Sequence, residues 1–200
     1  MKKLSRAVVA TLLYVLLLLA VYYAHVRFGR VNVVFYAAVA DALIAALLAG
    51  GLLLVCRYFG IFSGFEKLQL VVIWALAGYA FAISVPTVID RSLSFYILEK
   101  LQQRGGGIRL AAFEDVFTKE YVKEHRLVDV RLTEQLESGT LRIDDGCVRL
   151  TPRGERLAGL SRFFRQHLLP KQRLLMGQYS DDLTDPFRDS KPAADYGCGP

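Results

Sequence analysis

Charge is nearly missing from the first 89 residues. The chain has 25 Lys and Arg and 19 Asp and Glu, yet only Lys2, Lys3, Arg6, Arg27, Arg30, Asp41, Arg57, Glu66 and Lys67 fall in that stretch. Such a segment is too apolar for an ordinary soluble domain, and the 54% hydrophobic content of the whole chain reflects it. Metal-ligating residues are scarce as well. His25, His125 and His167 lie far apart, and Cys56, Cys147 and Cys198 form no CxxC pair, which argues against a zinc site or a disulfide framework. There is no Walker loop, GxGxxG unit, HExxH or acid-histidine-nucleophile spacing. Asp144-Asp145-Gly146 reads as a hairpin turn rather than a metal loop, and Glu114-Asp115 and Asp181-Asp182 read as solvated acidic pairs. The expectation is a protein without catalytic residues, metal or cofactor, and therefore not an enzyme.

What is present in the first half is membrane-length apolar sequence. Runs over about residues 7–26, 33–55 and 68–89 each suffice to cross a hydrocarbon core of ~30 Å. The first run is too long for a signal-peptide core and has no clean small-x-small cleavage site, so it reads as a span. Tyr22, Tyr23 and His25 mark its interfacial end. The aromatic connector 56–67 carries Phe59, Phe62 and Phe65 as an interfacial belt.

One carboxylate interrupts the apolar pattern. Asp41 lies about nine residues into the second span, near mid-bilayer at ~1.5 Å per residue. Left in lipid it would cost on the order of 3 kcal/mol, so it should face protein or water. Ala38, Ala42, Ala45 and Ala49 share its face by i, i+3 and i+4 spacing and would let another helix approach closely. Tyr14 and Tyr79 are placed at similar depth, as possible hydrogen-bond donors to Asp41. Gly78 and Ala82 supply small-xxx-small spacing on the third span.

The remaining residues are highly charged but close to neutral. A helix from Arg91 to Gln103, capped by Thr87 or Asp90, ends at Gly105-Gly106-Gly107. A short strand at Ile108-Arg109-Leu110 and helices over 111–124 and 128–138 follow, the last with Gly139 as its C-terminal cap. Thr140 to Ile143 and Cys147 to Leu150 alternate with a period of two around the turn, and Thr151-Pro152 opens another helix.

This order of helix, helix, helix, hairpin and helix resembles a winged helix-turn-helix domain. Leu136-Glu137-Ser138-Gly139-Thr140-Leu141, followed by Asp145-Gly146-Cys147-Val148-Arg149-Leu150-Thr151-Pro152-Arg153-Gly154-Glu155-Arg156-Leu157, is similar to the third helix, wing and following helix of the multiple-antibiotic-resistance-type regulators. The resemblance covers roughly residues 91–168. It implies that the segment 126–139 is the equivalent of the recognition helix, with Arg126 and Arg131 as its phosphate contacts. That segment also carries Asp129, Glu134 and Glu137, and Asp144 and Asp145 sit at the wing tip, a poor match for a polyanion. Nucleic acid is not the expected partner.

The architecture expected is mainly α: a three-helix transmembrane unit over 1–89, then a small α+β winged-helix-like domain over 90–176. That domain ends in a basic amphipathic helix, and 177–200 form a poorly ordered tail. Arg153, Arg156, Arg162, Arg165, Lys171 and Arg173, interleaved with Phe163, Phe164, Leu168 and Leu174, form a stretch suited to membrane lipids or to a partner. The function expected is that of an accessory or scaffold subunit docking a larger membrane protein or a second copy of itself. A membrane-tethered transcriptional regulator and a transport or lipid-handling component using Asp41 are the alternatives. Lys and Arg near the spans divide five to five between the two sides. Domain type and unpaired cysteines therefore place the soluble part in the cytoplasm, beneath the inner membrane, against the opposing hint of Lys2, Lys3 and Arg6.

Overall fold

The computed structural model describes residues 2–190 and Cys198. It is mainly helical, with two small antiparallel sheets. Contacts gather into two compact units, Met1–His125 and Arg126–Pro200.

In the first unit, α1 (Lys2–Phe28), α2 (Val34–Val55) and α3 (Gly64–Arg91) are each long and apolar enough to cross a membrane. Their packing has the polarity of a membrane bundle. Large side chains such as Leu16, Leu47 and Leu54 are exposed, whereas Ala38, Ala42, Ala45, Ala46 and Ala49 are buried. Lipid offers no hydrophobic drive to hide leucine, so small residues that bring backbones together occupy the contacts. α2 packs on both of its neighbours.

α3 starts before the expected residue 68 because Ser63 and Glu66 form a capping box. Ser63 N–H donates to Glu66 Oε2 at 2.7 Å, and Glu66 N–H donates to Ser63 Oγ at 3.3 Å. Glu66 also receives Lys3 Nζ at 2.8 Å, which ties the ends of α1 and α3. The aromatic connector is more folded than a loose belt. Phe59 and Phe62 are buried in the bundle's core cluster and only Phe65 is exposed, while Arg6 donates to the Tyr58 carbonyl at 2.7 Å and lies 4.7 Å from its ring centre. Near its end α3 widens into one π turn, Ile83–Thr87, around Pro86. Proline has no N–H for the regular ladder and its ring crowds the preceding turn, so the helix expands there and then resumes over Val88–Arg91.

Ser92 alone separates α3 from α4 (Leu93–Gln103). Its backbone is extended and its Oγ accepts from Phe95 N–H at 3.4 Å, so Ser92, rather than Thr87 or Asp90, caps this helix. Gly105 and Gly106, both at positive φ, end it. No strand forms at 108–110, which has no partner to pair with; Leu110–Ala112 instead makes a 3-10 turn leading into α5 (113–124), whose middle, Val116–Tyr121, is a π turn.

The second unit begins with α6 (Leu127–Glu137). Gly139, at φ +67°, closes it with paired hydrogen bonds from Gly139 N–H to Leu136 O and from Thr140 N–H to Gln135 O, a Schellman motif. β1 (Leu141–Asp144) and β2 (Cys147–Leu150) pair with Asp144 opposite Cys147. The two turn residues, Asp145 and Gly146, both have positive φ, as a type I′ turn requires.

The start of α7 (Pro152–His167) explains the run Leu150-Thr151-Pro152-Arg153-Gly154. Thr151 Oγ1 accepts from Gly154 N–H at 3.1 Å and donates to the Gly139 carbonyl at 2.8 Å, tying the helix start to the end of α6. A Cβ at Gly154 would overlap the Thr140 carbonyl oxygen and sit 3.0 Å from Leu150 Cδ2, so only glycine permits that approach.

The basic stretch is not one helix. α7 stops at His167, ahead of Pro170, and β3 (Arg173–Leu175) pairs with β4 (Gln178–Ser180) across a second turn with positive φ at Met176 and Gly177. Residues 178–180 of the expected disordered tail are therefore a strand, while 191–197, 199 and 200 lie outside the described residues. The cysteines also differ from expectation. The sulfur atoms of Cys147 and Cys198 meet in bonding contact, with Cα atoms 6.0 Å apart, a pairing that a separation of 51 residues conceals in the sequence. Cys56 is free and exposed.

Candidate functional site

The polar centre of the bundle is Asp41, 1% exposed on the small-residue face of α2. Its Oδ1 lies 2.8 Å from His25 Nδ1, and its Oδ2 is buried with no hydrogen-bond partner. His25 stands in the last turn of α1, and its side chain is one-third exposed. Because α2 begins at Val34, Asp41 is seven residues, or about 10 Å, from the helix start. The carboxylate is thus nearer one end of the apolar helix than its middle, within reach of a part-exposed histidine in the last turn of α1. Tyr22, one turn before His25, is in electrostatic range of Asp41 and of Asp90, and its ring meets Phe81 edge-on at 5.7 Å.

The tyrosines expected beside Asp41 are placed elsewhere. Tyr14 donates to the Trp74 carbonyl at 2.7 Å and stacks on the Trp74 ring, with centroids 5.3 Å apart. Trp74 Nε1 in turn donates to Thr11 Oγ1 at 3.1 Å. This network pins α1 to α3 in the interior. Tyr79 is half exposed and packs edge-on against Phe35. A Cβ on Gly78 would overlap the Tyr14 hydroxyl and come 2.7 Å from Ala42 Cβ, so all three helices converge at this glycine. Ala38, Ala42, Ala45 and Ala49 are buried in the bundle's own contacts, and their stripe is spent on internal packing.

The partner of Asp41 was legible in principle. An ionisable residue in one span calls for a polar group at similar depth on its neighbour, and His25 is the histidine that α1 carries just inside Arg27. Reading it only as an interfacial marker obscured this.

Sequence reasoning also missed a second cluster, in the charged part of the first unit that follows α3. Lys100 on α4 is 5% exposed and donates at 2.7 Å to both Glu120 and Glu124 on α5. Tyr96 OH donates to Glu124 at 2.9 Å, and Arg104 Nη2 lies 3.0 Å from Glu120. The rings of Tyr96, Tyr121 and His125 pack mutually with centroids 4.6 to 5.2 Å apart. Hydrogen bonds from Lys100 hold both glutamates below the usual carboxylate range, with Arg104 assisting at Glu120 and Tyr96 at Glu124, and the same bonds raise Lys100. Burial raises Tyr96. Every charge here is answered by another, which suits a clamp between α4 and α5 rather than proton transfer.

In the second unit, Arg126 and Arg131 are engaged on their own helix, at 2.8 Å to Asp129 and Glu134. Arg153, Arg156 and Arg162 are exposed on α7, whereas Arg165 is partly buried. Lys171 lies in the connection after α7, where its carbonyl accepts from Thr184, and Arg173 is in β3. No group of three or more His, Cys, Asp or Glu able to hold a metal occurs among the described residues.

Comparisons of the chain with protein-family models, with characterised proteins and with solved structures give no match.

Proposed function

We propose that this chain is a non-enzymatic accessory subunit of a larger complex in the cell's inner membrane. α1–α3 anchor it, and its winged-helix-like soluble part, in the cytoplasm, docks a protein partner through α6.

The observation that carries this reading is the surface of α6. The helix buries none of its residues, with Val128 58% and Leu136 40% exposed, and Leu132 continues the same stripe at i+4 spacing. An exposed apolar stripe on a helix whose arginines are already neutralised by its own acids suits a groove on another protein. It offers little to a phosphate backbone, which needs free cations. The transmembrane stripe around Asp41 is used internally, so the soluble part provides the better docking surface.

Photo-crosslinkers at Val128 and Leu136 in the full chain, in native membranes, test this. One adduct of the same mass from both positions, lost in Leu132→Arg and matched by a complex of fixed stoichiometry in mild detergent, is the expected result. A monomer without adducts would refute it, and sequence-selective, salt-sensitive DNA binding would replace it with the tethered-regulator reading.

A further inference from the structure

We propose that α7 lies on an anionic lipid surface, docked by one continuous face that carries both apolar and cationic side chains. At about 100° per residue, Arg153, Arg156, Leu157, Leu160, Phe163 and Phe164 fall within an arc of about 120°. All six are exposed. Gly154, which packs against the Thr140 carbonyl, lies outside the arc, so the face is not the one that holds the helix to the β1–β2 hairpin. Neither Arg153 nor Arg156 has an acidic partner among the described residues. Leu157, Leu160, Phe163 and Phe164, each about half exposed and clustered on one arc around two unanswered cations, make a contiguous apolar patch that a merely solvated face does not need. The cations are out of place in a protein core, where the charges would be paired. At a headgroup boundary both requirements are met together, because the rings and leucines enter the acyl edge while guanidinium groups meet phosphate.

The second sheet supports the same occupant independently. Leu174 and Tyr179 are cross-strand partners on one face of β3–β4, both exposed, and Met176 at the turn is 86% exposed. Lys171 and Arg173, at the base of the hairpin, are exposed and without acidic partners among the described residues. Asp181 and Asp182, which follow Ser180 at the same base, are engaged by Arg188, so the hairpin adds exposed apolar side chains beside Lys171 and Arg173 and little net charge. The chain's own spans keep a bilayer as a constant neighbour, and a negatively charged lipid surface is the partner complementary to this positive, apolar face.

The experiment is hydrogen exchange of the full chain in nanodiscs holding one copy each, with wholly zwitterionic lipid or with an anionic fraction. Each arginine near an anionic surface is worth about fivefold in binding. The expected result is slower exchange across residues 152–168 in anionic discs only, reversed by high salt. In Arg153→Glu/Arg156→Glu the docking should weaken at least about 25-fold and the lipid dependence disappear, while α2 exchanges as before and reports an intact bundle. Equal exchange in both lipids would overturn the proposal. Protection only in discs holding two copies would also overturn it, making the face a contact between copies.

Discussion

Replacing His25 by alanine leaves Asp41 buried among alanines with neither carboxylate oxygen hydrogen-bonded, since Oδ2 already lacks a partner. Breaking a fully buried pair by removing one member costs about 3 to 5 kcal/mol. Here the histidine is one-third exposed and Asp41 lies only about 10 Å from the helix start, so water relieves part of that, and we expect about 2 kcal/mol. Asp41→Asn keeps an acceptor for the ring N–H and nearly the same volume, and should cost about 1 kcal/mol or less. Asp41→Leu removes the orphaned oxygen together with the charge, and should be close to neutral in a His25→Ala background. Reversible unfolding of the full chain in bicelles, followed by the buried Trp74 and run as a double-mutant cycle, reads these terms directly. The coupling between His25→Ala and Asp41→Leu should be about 1 to 2 kcal/mol, toward the upper end of polar contacts between membrane helices. Additive effects of the two substitutions would refute the reasoning, because they would show that the carboxylate gains nothing from the imidazole.

Gly78→Ala should destabilise the same bundle by about 1 to 3 kcal/mol, since the added methyl meets Tyr14 and Ala42 from two helices; Gly51→Ala, where a Cβ meets nothing within 4 Å, is the control in the same unfolding assay. The Lys100 clamp should be pH dependent on both sides. Glu120 and Glu124, depressed in the fold, contribute stability above the ordinary carboxylate range that is lost as pH falls through their folded values. Lys100, raised in the fold, contributes below its ordinary value and loses that contribution as pH rises through the folded one. The protection of amides 113–124, corrected for the intrinsic pH dependence of exchange, should therefore hold level between the carboxylate and lysine ranges and fall on either side, and Lys100→Met should flatten the acid limb; an unchanged profile would count against the clamp. If the soluble part is cytoplasmic, Cys147 and Cys198 should be thiols in acid-quenched cells and join on oxidation of the purified protein, and an impermeant reagent should label Cys56 in intact cells. A disulfide already present in quenched cells, with Cys56 protected until permeabilisation, would reverse the orientation.

Local physics accounts for what could be read in advance. Three spans follow from run length and missing charge, and the β1–β2 turn follows from Asp145-Gly146, residues suited to positive φ. Gly139 and Thr151 are legible because capping uses atoms a few residues away. Helix ends were misplaced where a side chain two or three residues off changed the outcome, as Glu66 does for Ser63 and as Ser92 does beside Asp90.

The amino-acid order by itself determined that a charge-poor, three-span segment precedes a charged, nearly neutral one, and that Asp41 must be sheltered from lipid, because transfer free energies depend on composition and run length alone. Only the tertiary structure decided who shelters it. His25 meets Asp41, Tyr14 turns to Trp74, Lys100 reaches Glu120 and Glu124, and Cys147 meets Cys198, across sequence separations of 16, 60, 20 and 24, and 51 residues. Periodicity assigns a side chain to a face, but which faces meet, and at what depth, is set by how the helices pack.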